Sequence, residues 1–174
     1  MDDPWDEIVE AFELLKSQGK IRDFGISSIR PNVIRNIMAL NPPATIMMQY
    51  SPLDRRPEES VFPLLEETET RVLVRGAFSK GILIDKPVVS FLDFPAEMVG
   101  EIKAQIAYCG FSPEAFLIRF GLIEPAVSTL VIGASSEDQV EKLMKGFEDS
   151  QSIPDELIVK TKALLPRNYY QDHR

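Results

Sequence analysis

The chain has 174 residues, of which 44% are hydrophobic, and 27 acidic against 19 basic residues give a net charge of −8. This length and composition predict one globular domain spanning residues 1–174. The negative charge argues against nucleic acid or an anionic membrane as a general partner. The sequence shows no signal peptide and no apolar run of eighteen residues, so we expect a cytoplasmic protein that does not enter the membrane.

Neither the single cysteine nor the single histidine indicates catalysis or a metal site. Cys109 has apolar neighbours, which favours a small buried thiol over a nucleophile, and one thiol cannot form a disulfide or a thiolate cluster for metal. His173 lies in a polar tail, residues 167–174, where nothing would orient it for proton transfer. We therefore predict no metal ligands and no histidine base.

The chain opens with an amphipathic pattern over residues 1–18, which predicts a helix. Asp2 or Asp3 is placed to cap its start, and Gly19 is placed to end it. A second helix is predicted from Pro31, because proline is favoured at the first helical position.

Four segments have the composition of strands in a parallel sheet, and polar or glycine-containing residues follow each of them. These segments are residues 20–26, 44–50, 71–75 and 126–132. Helical patterns lie between the strands, so the sequence predicts an α/β fold. Residues 44–48 are apolar or β-branched without a break, which predicts a strand buried on both faces. Gln49 lies at the carboxyl end of this strand. Its side chain either contacts a ligand or ends the strand in contact with water.

Two of the strands are followed by segments suited to binding phosphate. Residues 76–81 contain two glycines and Lys80, with Arg75 just before them, so the backbone can approach an anion that the cations neutralise; the glycines alternatively serve only as turns. After the fourth strand, Gly133 precedes Ser136 and Gln139, which have the spacing of a capping box. Free backbone N–H groups and the helix dipole at such a helix start favour an anion.

Residues 85–95 are predicted to be an irregular connection, since Pro87 and Pro95 interrupt any regular pattern. Phe91, Leu92 and Phe94 are expected to cover an apolar surface from this connection. A helix is then predicted to begin at Ser112, which precedes a proline in the manner of an N-cap.

Four blocks of sequence resemble the second half of the aldo-keto reductases, in the same order and with the same spacing. These blocks are residues 19–27, 48–53, 76–83 and 127–135 with Gln139. The resemblance implies a partial (β/α)8 TIM barrel that contains strands five to eight with their helices. It also implies that the cofactor is NADPH and that it lies across the carboxyl ends of the strands.

The resemblance further implies a role for each strand end. Ser27 and Gln49 would hold the nicotinamide carboxamide, and Arg75 stands where many members place an aromatic residue that stacks on the nicotinamide. A guanidinium plane can also stack. Residues 76–81 would wrap the pyrophosphate, whereas Lys142 and Leu143 replace a Glu-Asn pair that many members use for adenine. The implied cofactor-binding residues are Ser27, Gln49, Arg75, Gly76, Phe78, Lys80, Gly81, Gly133, Ser135, Ser136 and Gln139.

In the family, a tyrosine assisted by a lysine, an aspartate and a histidine protonates the carbonyl oxygen. These four residues come from the first four strands, so the resemblance implies that no catalytic residue lies in this chain. Because a general acid is typically worth about 10²- to 10⁴-fold in rate, we expect the chain alone to be inactive or nearly so.

A half-barrel leaves strand edges unpaired and interior side chains in water, so we expect a partner. The partner is either a second copy of the chain or a complementary N-terminal half-barrel, unless the sheet is covered in some other way. A small carbonyl substrate is expected only once the barrel is completed. The alternative function is a non-catalytic nucleotide-binding or self-assembling half-barrel module.

Overall fold

Four parallel strands form one sheet in chain order, β1-β2-β3-β4. The structure is a computed structural model and describes residues 4–172, so the predictions for Asp2, Asp3 and His173 lie outside the described residues. The elements are α1 (Trp5–Ser17), β1 (Gly25–Ser27), α2 (Pro31–Leu40), β2 (Thr45–Gln49), α3 (Pro57–Leu65), β3 (Arg71–Arg75), α4 (Ala96–Ala107), α5 (Pro113–Leu122), β4 (Val127–Val131), α6 (Glu137–Ser150) and α7 (Asp155–Leu164). The predicted alternation of strands and helices is confirmed.

Strand β1 is shorter than the sequence predicts. Gly19 ends α1 with a φ of 67°. The Phe24 N–H donates to an Asp23 carboxylate oxygen at 3.1 Å, and the Phe24 carbonyl accepts the Ala44 N–H at 2.9 Å, but residues 20–24 are not part of the strand. The strand ends at Ser27. This residue lies in register with Met47, which is two residues before the end of β2.

Helices cover only one face of the sheet. Ile46 and Met48 of β2 are fully buried, whereas Thr45, Met47 and Gln49 between them are partly exposed. The prediction that this strand is buried on both faces is therefore wrong for this chain, because side chains alternate between two faces and one of them has no helical layer. We call the uncovered side the open face.

The core lies between the sheet and the helices, and α5 is at its centre. Residues 115–118 and 120 of α5 are all buried, and Ser112 caps the helix by accepting the Ala115 N–H at 3.2 Å, as predicted. Helix α6 lies against α5 at Gly146, where an added Cβ would stand 2.8 Å from the Glu114 Cβ. Glycine at this position lets the two helices approach closely.

Two of the three residues expected to cover an apolar surface from residues 85–95 do so. Phe94 is 6% exposed and Phe91 packs against the core, but Leu92 is 48% exposed. The backbone groups of Phe91 and Phe94 exchange hydrogen bonds of 3.0 Å, and Leu92 adopts a φ of 50° in the tight turn between them. This turn directs the Leu92 side chain outward, so the expectation for Leu92 is wrong.

The C-terminal segment is not a free polar tail over its described part. Asn168 and Tyr170 are both 5% exposed. The Asn168 side-chain oxygen accepts the Arg55 N–H at 2.8 Å, and the Tyr170 N–H donates to Glu59 Oε2 at 2.8 Å. Polar composition suggested a solvated tail, but these polar groups instead pair with buried groups at the start of α3.

Cys109 is half-buried against the core rather than fully enclosed, with its sulfur 3.4 Å from Thr161 Oγ1. Within residues 4–172, no group of three or more His, Cys, Asp or Glu side chains is arranged to hold a metal ion. None of the helices in that same range has the length and apolar character needed to cross a membrane.

Candidate functional site

A groove with a volume of about 680 Å³ runs along the carboxyl ends of β3 and β4. Its walls are the loop after β3 and the turn between β4 and α6. These segments are close together because parallel neighbouring strands bring their carboxyl ends to the same edge of a sheet. The predicted site residues that line the groove are Gly76, Phe78, Lys80, Gly81, Gly133, Ser135, Ser136 and Gln139.

The other three predicted residues lie at the same edge, beside β1 and β2. Ser27 and Arg75 line a second cavity of about 380 Å³, which Trp5 of α1 also lines and which we call the β1 cavity. Gln49 lines neither space, but it pairs in register with Arg75, and its side chain lies 3.7 Å from the position of a Cβ added to Gly76. All the predicted strand ends therefore share one edge.

The loop over residues 76–81 has an unusual backbone. Gly76 and Gly81 have φ values of 69° and 88°, which glycine adopts without strain. Ser79 and Lys80 also have positive φ values, 49° and 60°, which cost a non-glycine residue about 1–2 kcal/mol each. The buried Ser79 hydroxyl lies 3.0 Å from the Ser51 hydroxyl beyond β2, a contact that holds this loop in place.

The start of α6 is capped, with one difference from the prediction. Ser136 accepts the Gln139 N–H at 3.3 Å, as an N-cap should. The Gln139 side chain, however, accepts the Ser135 N–H at 2.8 Å and the Ser135 hydroxyl at 3.2 Å. The Ser135 N–H is thus already bonded, so the expectation that it is free for an anion is wrong. An anion at this position has to displace the Gln139 side chain.

Cations and carboxylates alternate around the groove. Lys142 forms an ion pair of 2.8 Å with Asp138, and the hydrogen bond that its ammonium donates to this carboxylate raises the pKa of Lys142. Lys80 and Lys86 also line the groove, and among the described residues neither forms an ion pair. These two ammonium groups are therefore available for an anionic ligand.

A buried polar cluster that sequence reasoning missed lies behind the carboxyl end of β2. We call it the Glu58 cluster, and it consists of Tyr50, Arg55, Glu58, Glu124 and Lys162. Glu58 accepts the Tyr50 hydroxyl at 2.7 Å and two Arg55 N–H groups at 2.9 Å, and Lys162 Nζ lies 3.0 Å from the same carboxylate. Glu124 pairs with Lys162 and lies 3.1 Å from the Tyr50 hydroxyl.

The cluster shifts the pKa values of its members in opposite directions. Burial first, and then the charges of Glu124 and Glu58, raise the pKa of Tyr50 well above its usual value. Burial alone would raise the pKa of Glu58, but the hydrogen bonds from Arg55 and the charge of Lys162 outweigh it and lower the pKa. The carboxylate therefore stays ionised and fixes the strand end that carries Gln49.

The spacing of Arg55 and Glu58 at a helix start is visible in the sequence. Their partners Glu124 and Lys162 are far along the chain, and only the fold brings them together. The cluster lies on the helix side of the sheet, so the Tyr50 hydroxyl does not reach the open face.

Known proteins resemble this chain throughout its length. The family model described as "Aldo/keto reductase family" matches residues 1–157. The "Uncharacterized oxidoreductase YqkF" of Bacillus subtilis (strain 168) is 33% identical over 193 residues, which cover 100% of this chain and 60% of that protein.

Solved structures give the same result. The aldo-keto reductase AKR11C1 from Bacillus halodurans in its apo form superposes with a TM-score of 0.91 at 36% identity, covering 100% of this chain and 62% of that one. Its holo form gives a TM-score of 0.92 at 37% identity, with coverages of 99% and 58%. The chain thus spans about 60% of the length of these relatives. The resemblance seen in the sequence is confirmed, and this chain belongs to the aldo-keto reductase family.

Proposed function

We propose that this chain is the NADP(H)-binding half of an aldo-keto reductase, an NADPH-dependent carbonyl and alcohol oxidoreductase. In this proposal, β1 to β4 are strands five to eight of a partial (β/α)8 TIM barrel. The observation that supports it most directly is the convergence of the strand ends. The groove and the β1 cavity lie along one edge with Gln49 between them, and we infer that a dinucleotide binds along this edge.

The residues at this edge suit the parts of the cofactor. Two glycines with positive φ shape the loop over residues 76–81, and of these Gly76 is exposed whereas the Lys86 side chain lies against Gly81. Lys80 and Lys86 supply unpaired positive charge for phosphates. The start of α6 adds the positive end of a helix dipole. The hydroxyl of Ser27 and the amide of Gln49 are the kind of groups that hydrogen-bond a carboxamide. When bound, NADPH supplies the hydride that reduces a carbonyl carbon.

We further propose that the proton for this reaction comes from residues outside the chain. Tyr50 is buried on the helix side of the sheet, Tyr108 is 90% exposed beyond α4, and Tyr169 and Tyr170 lie in the C-terminal segment. Among the described residues, no tyrosine lines the groove or the β1 cavity.

Reduction of simple aldehydes by the purified chain is expected to stay near background, because general acid catalysis is worth about 10²- to 10⁴-fold. Loss of NADPH absorbance in the presence of an aldehyde measures this directly. The control adds a chain that carries strands one to four of a relative. Turnover by the chain alone would show that the proton donor lies within it.

The open face supports the proposal of a partner. Met47, Leu73 and Val131 present apolar atoms there, and β1 and β4 are at the two ends of the sheet. Helices α1, which precedes β1, and α6, which follows β4, each carry a net charge of −3, which disfavours pairing of identical copies end to end. A complementary half-barrel thus fits better than a second copy.

A non-catalytic module that binds a nucleotide or assembles with itself remains the second candidate, and the uncovered apolar side chains of the open face support it. Light scattering over a range of protein concentrations distinguishes this module from an aldo-keto reductase half that requires a complementary chain. A dimer that forms without a complementary half would favour the self-assembling module.

NADPH is expected to bind the chain and to stabilise it by about 2.7 kcal/mol when its concentration is 100 times the dissociation constant. Calorimetric titration and the melting temperature both report this. Ser136→Ala and Ser112→Ala are matched variants, because each removes an N-cap worth about 1 kcal/mol, but only Ser136 lines the groove.

Of the two serine variants, only Ser136→Ala should bind NADPH more weakly than the unaltered chain. Lys80→Gln should also weaken binding, whereas Lys160→Gln, on the exposed face of α7, should not. The absence of any response at millimolar NADPH would overturn the proposed function.

A further inference from the structure

The open face carries positive charge without compensation. Side chains that alternate with the buried residues of each strand point to this face, and its only ionisable members among the described strand residues are Arg71 and Arg75 of β3. Both are exposed. Arg75 forms no ion pair with any described residue, and no carboxylate from β1, β2 or β4 shares the face with it.

Arg75 also stands at a particular place on that face. It is the last residue of β3, in register with Gln49 on one side and Val131 on the other, and it lines the β1 cavity together with Ser27. Its guanidinium is therefore beside the two polar groups that the proposed function assigns to the nicotinamide carboxamide. A guanidinium carries a positive charge in proteins.

We propose that Arg75 makes this site sensitive to the oxidation state of the cofactor, so that the reduced form binds more tightly than the oxidised form. This inference rests on the proposed function, because it requires the nicotinamide to lie at the β1 cavity. The two forms share the same phosphates, riboses and adenine, and they differ by one positive charge on the nicotinamide ring. A nearby guanidinium repels that charge, and an aromatic side chain at the same position would not.

The size of the effect follows from the exposure of Arg75. Two unit charges a few ångströms apart repel appreciably near a protein surface, and water and salt reduce the repulsion where both are accessible. We therefore expect NADPH to bind about five to ten times more tightly than NADP⁺ at low ionic strength. The ratio should fall toward one as salt is added, since the Debye length shrinks from about 30 Å at 0.01 M to about 3 Å at 1 M.

A site of this kind favours carbonyl reduction. The oxidised cofactor produced by hydride transfer carries the additional charge, so it dissociates more readily than the reduced cofactor that replaces it. Arg75 would then act on cofactor exchange rather than on the transfer itself.

The test is a calorimetric titration of the 174-residue chain with NADPH and, separately, with NADP⁺ at about 20 mM and 500 mM salt. Arg75→Gln should reduce the affinity ratio to about one, whereas Arg75→Lys, which keeps the charge, should retain most of the preference. Arg71→Gln is the matched control: it removes the other cation of the open face from the opposite end of β3, about 13 Å away at 3.3 Å per residue, and should leave the ratio unchanged.

Five outcomes of this experiment decide whether Arg75 has the proposed role. Equal affinities in the unaltered chain, or a ratio that Arg75→Gln does not change, would overturn the role of Arg75 and leave the proposed function standing. In another outcome, Arg71→Gln reduces the affinity ratio as much as Arg75→Gln does. That result would overturn the role of Arg75, because the preference would then come from the net charge of the protein. Failure of both cofactors to bind would overturn the proposed function and the inference together. A preference that requires Arg75 and falls with salt supports the inference.

Discussion

Glu58→Ala is expected to lower the free energy of unfolding by about 3–5 kcal/mol, the usual effect of removing one partner of a buried ion pair. The Glu58 and Arg55 side chains are 10% and 9% exposed, and Lys162 is 18% exposed. Without the carboxylate, two cations and the Tyr50 hydroxyl remain in the interior with fewer partners. Because domains are stable by only about 5–15 kcal/mol, urea denaturation at low temperature is the suitable measurement.

The control for this variant is Glu66→Ala. Glu66 is exposed at the end of α3 and forms no described ion pair, so its removal should change stability by less than about 0.5 kcal/mol. Equal effects of the two substitutions would show that the Glu58 cluster does not stabilise the fold.

The same carboxylate gives stability a dependence on pH. Because the pKa of Glu58 in the folded protein lies below its ordinary value of 4.5, the unfolded chain binds more protons in acid. Its contribution is therefore complete above about pH 4.5 and is lost as the pH falls through the folded pKa. Glu58→Gln should remove this part of the acid sensitivity, which urea denaturation between pH 3 and pH 7 measures.

A chain that ends at Pro166 is expected to lose about 3–5 kcal/mol of stability. Burial of the Tyr170 side chain is worth about 2–3 kcal/mol, and each hydrogen bond of Asn168 adds about 1 kcal/mol. The shortened chain also exposes Leu53 and the backbone N–H of Arg55. The midpoint of urea denaturation reports the loss.

The matched truncation ends at Gln171 and keeps both docked residues. It should unfold at the same urea concentration as the full chain, because Asp172 is exposed. If the two truncations behave alike, the C-terminal segment contributes nothing to stability despite its contacts.

The sequence allowed most of the fold to be predicted, because the relevant information was local. Apolar strands, caps such as Ser112 and turn glycines such as Gly76 depend on neighbouring residues, and each of them appears where it was expected. The predicted start of β1 was too early, because residues 20–24 have the composition of a strand but are not in register with β2.

Two features that the sequence did not reveal depend on contacts between distant residues. The partners Glu124 and Lys162 of the Glu58 cluster, and the docking of Asn168 on Arg55, are set by packing of elements about 40 to 110 residues apart. The Gln139 side chain was expected to complete a capping box, and its turn toward Ser135 is a choice between two neighbouring donors. Sequence spacing cannot decide such a choice.

Because of the register of the sheet, the carboxyl ends of the strands do not lie at the same height. Ser27 ends β1 opposite Met47, whereas Gln49 and Arg75 continue two residues farther, a difference of about 7 Å at 3.3 Å per residue. A flat molecule resting on this edge has to tilt, with the end over β1 lower than the end over β4. The lower end lies beside the longer β2, so the heights of the strand ends give this edge a preferred direction for an elongated ligand.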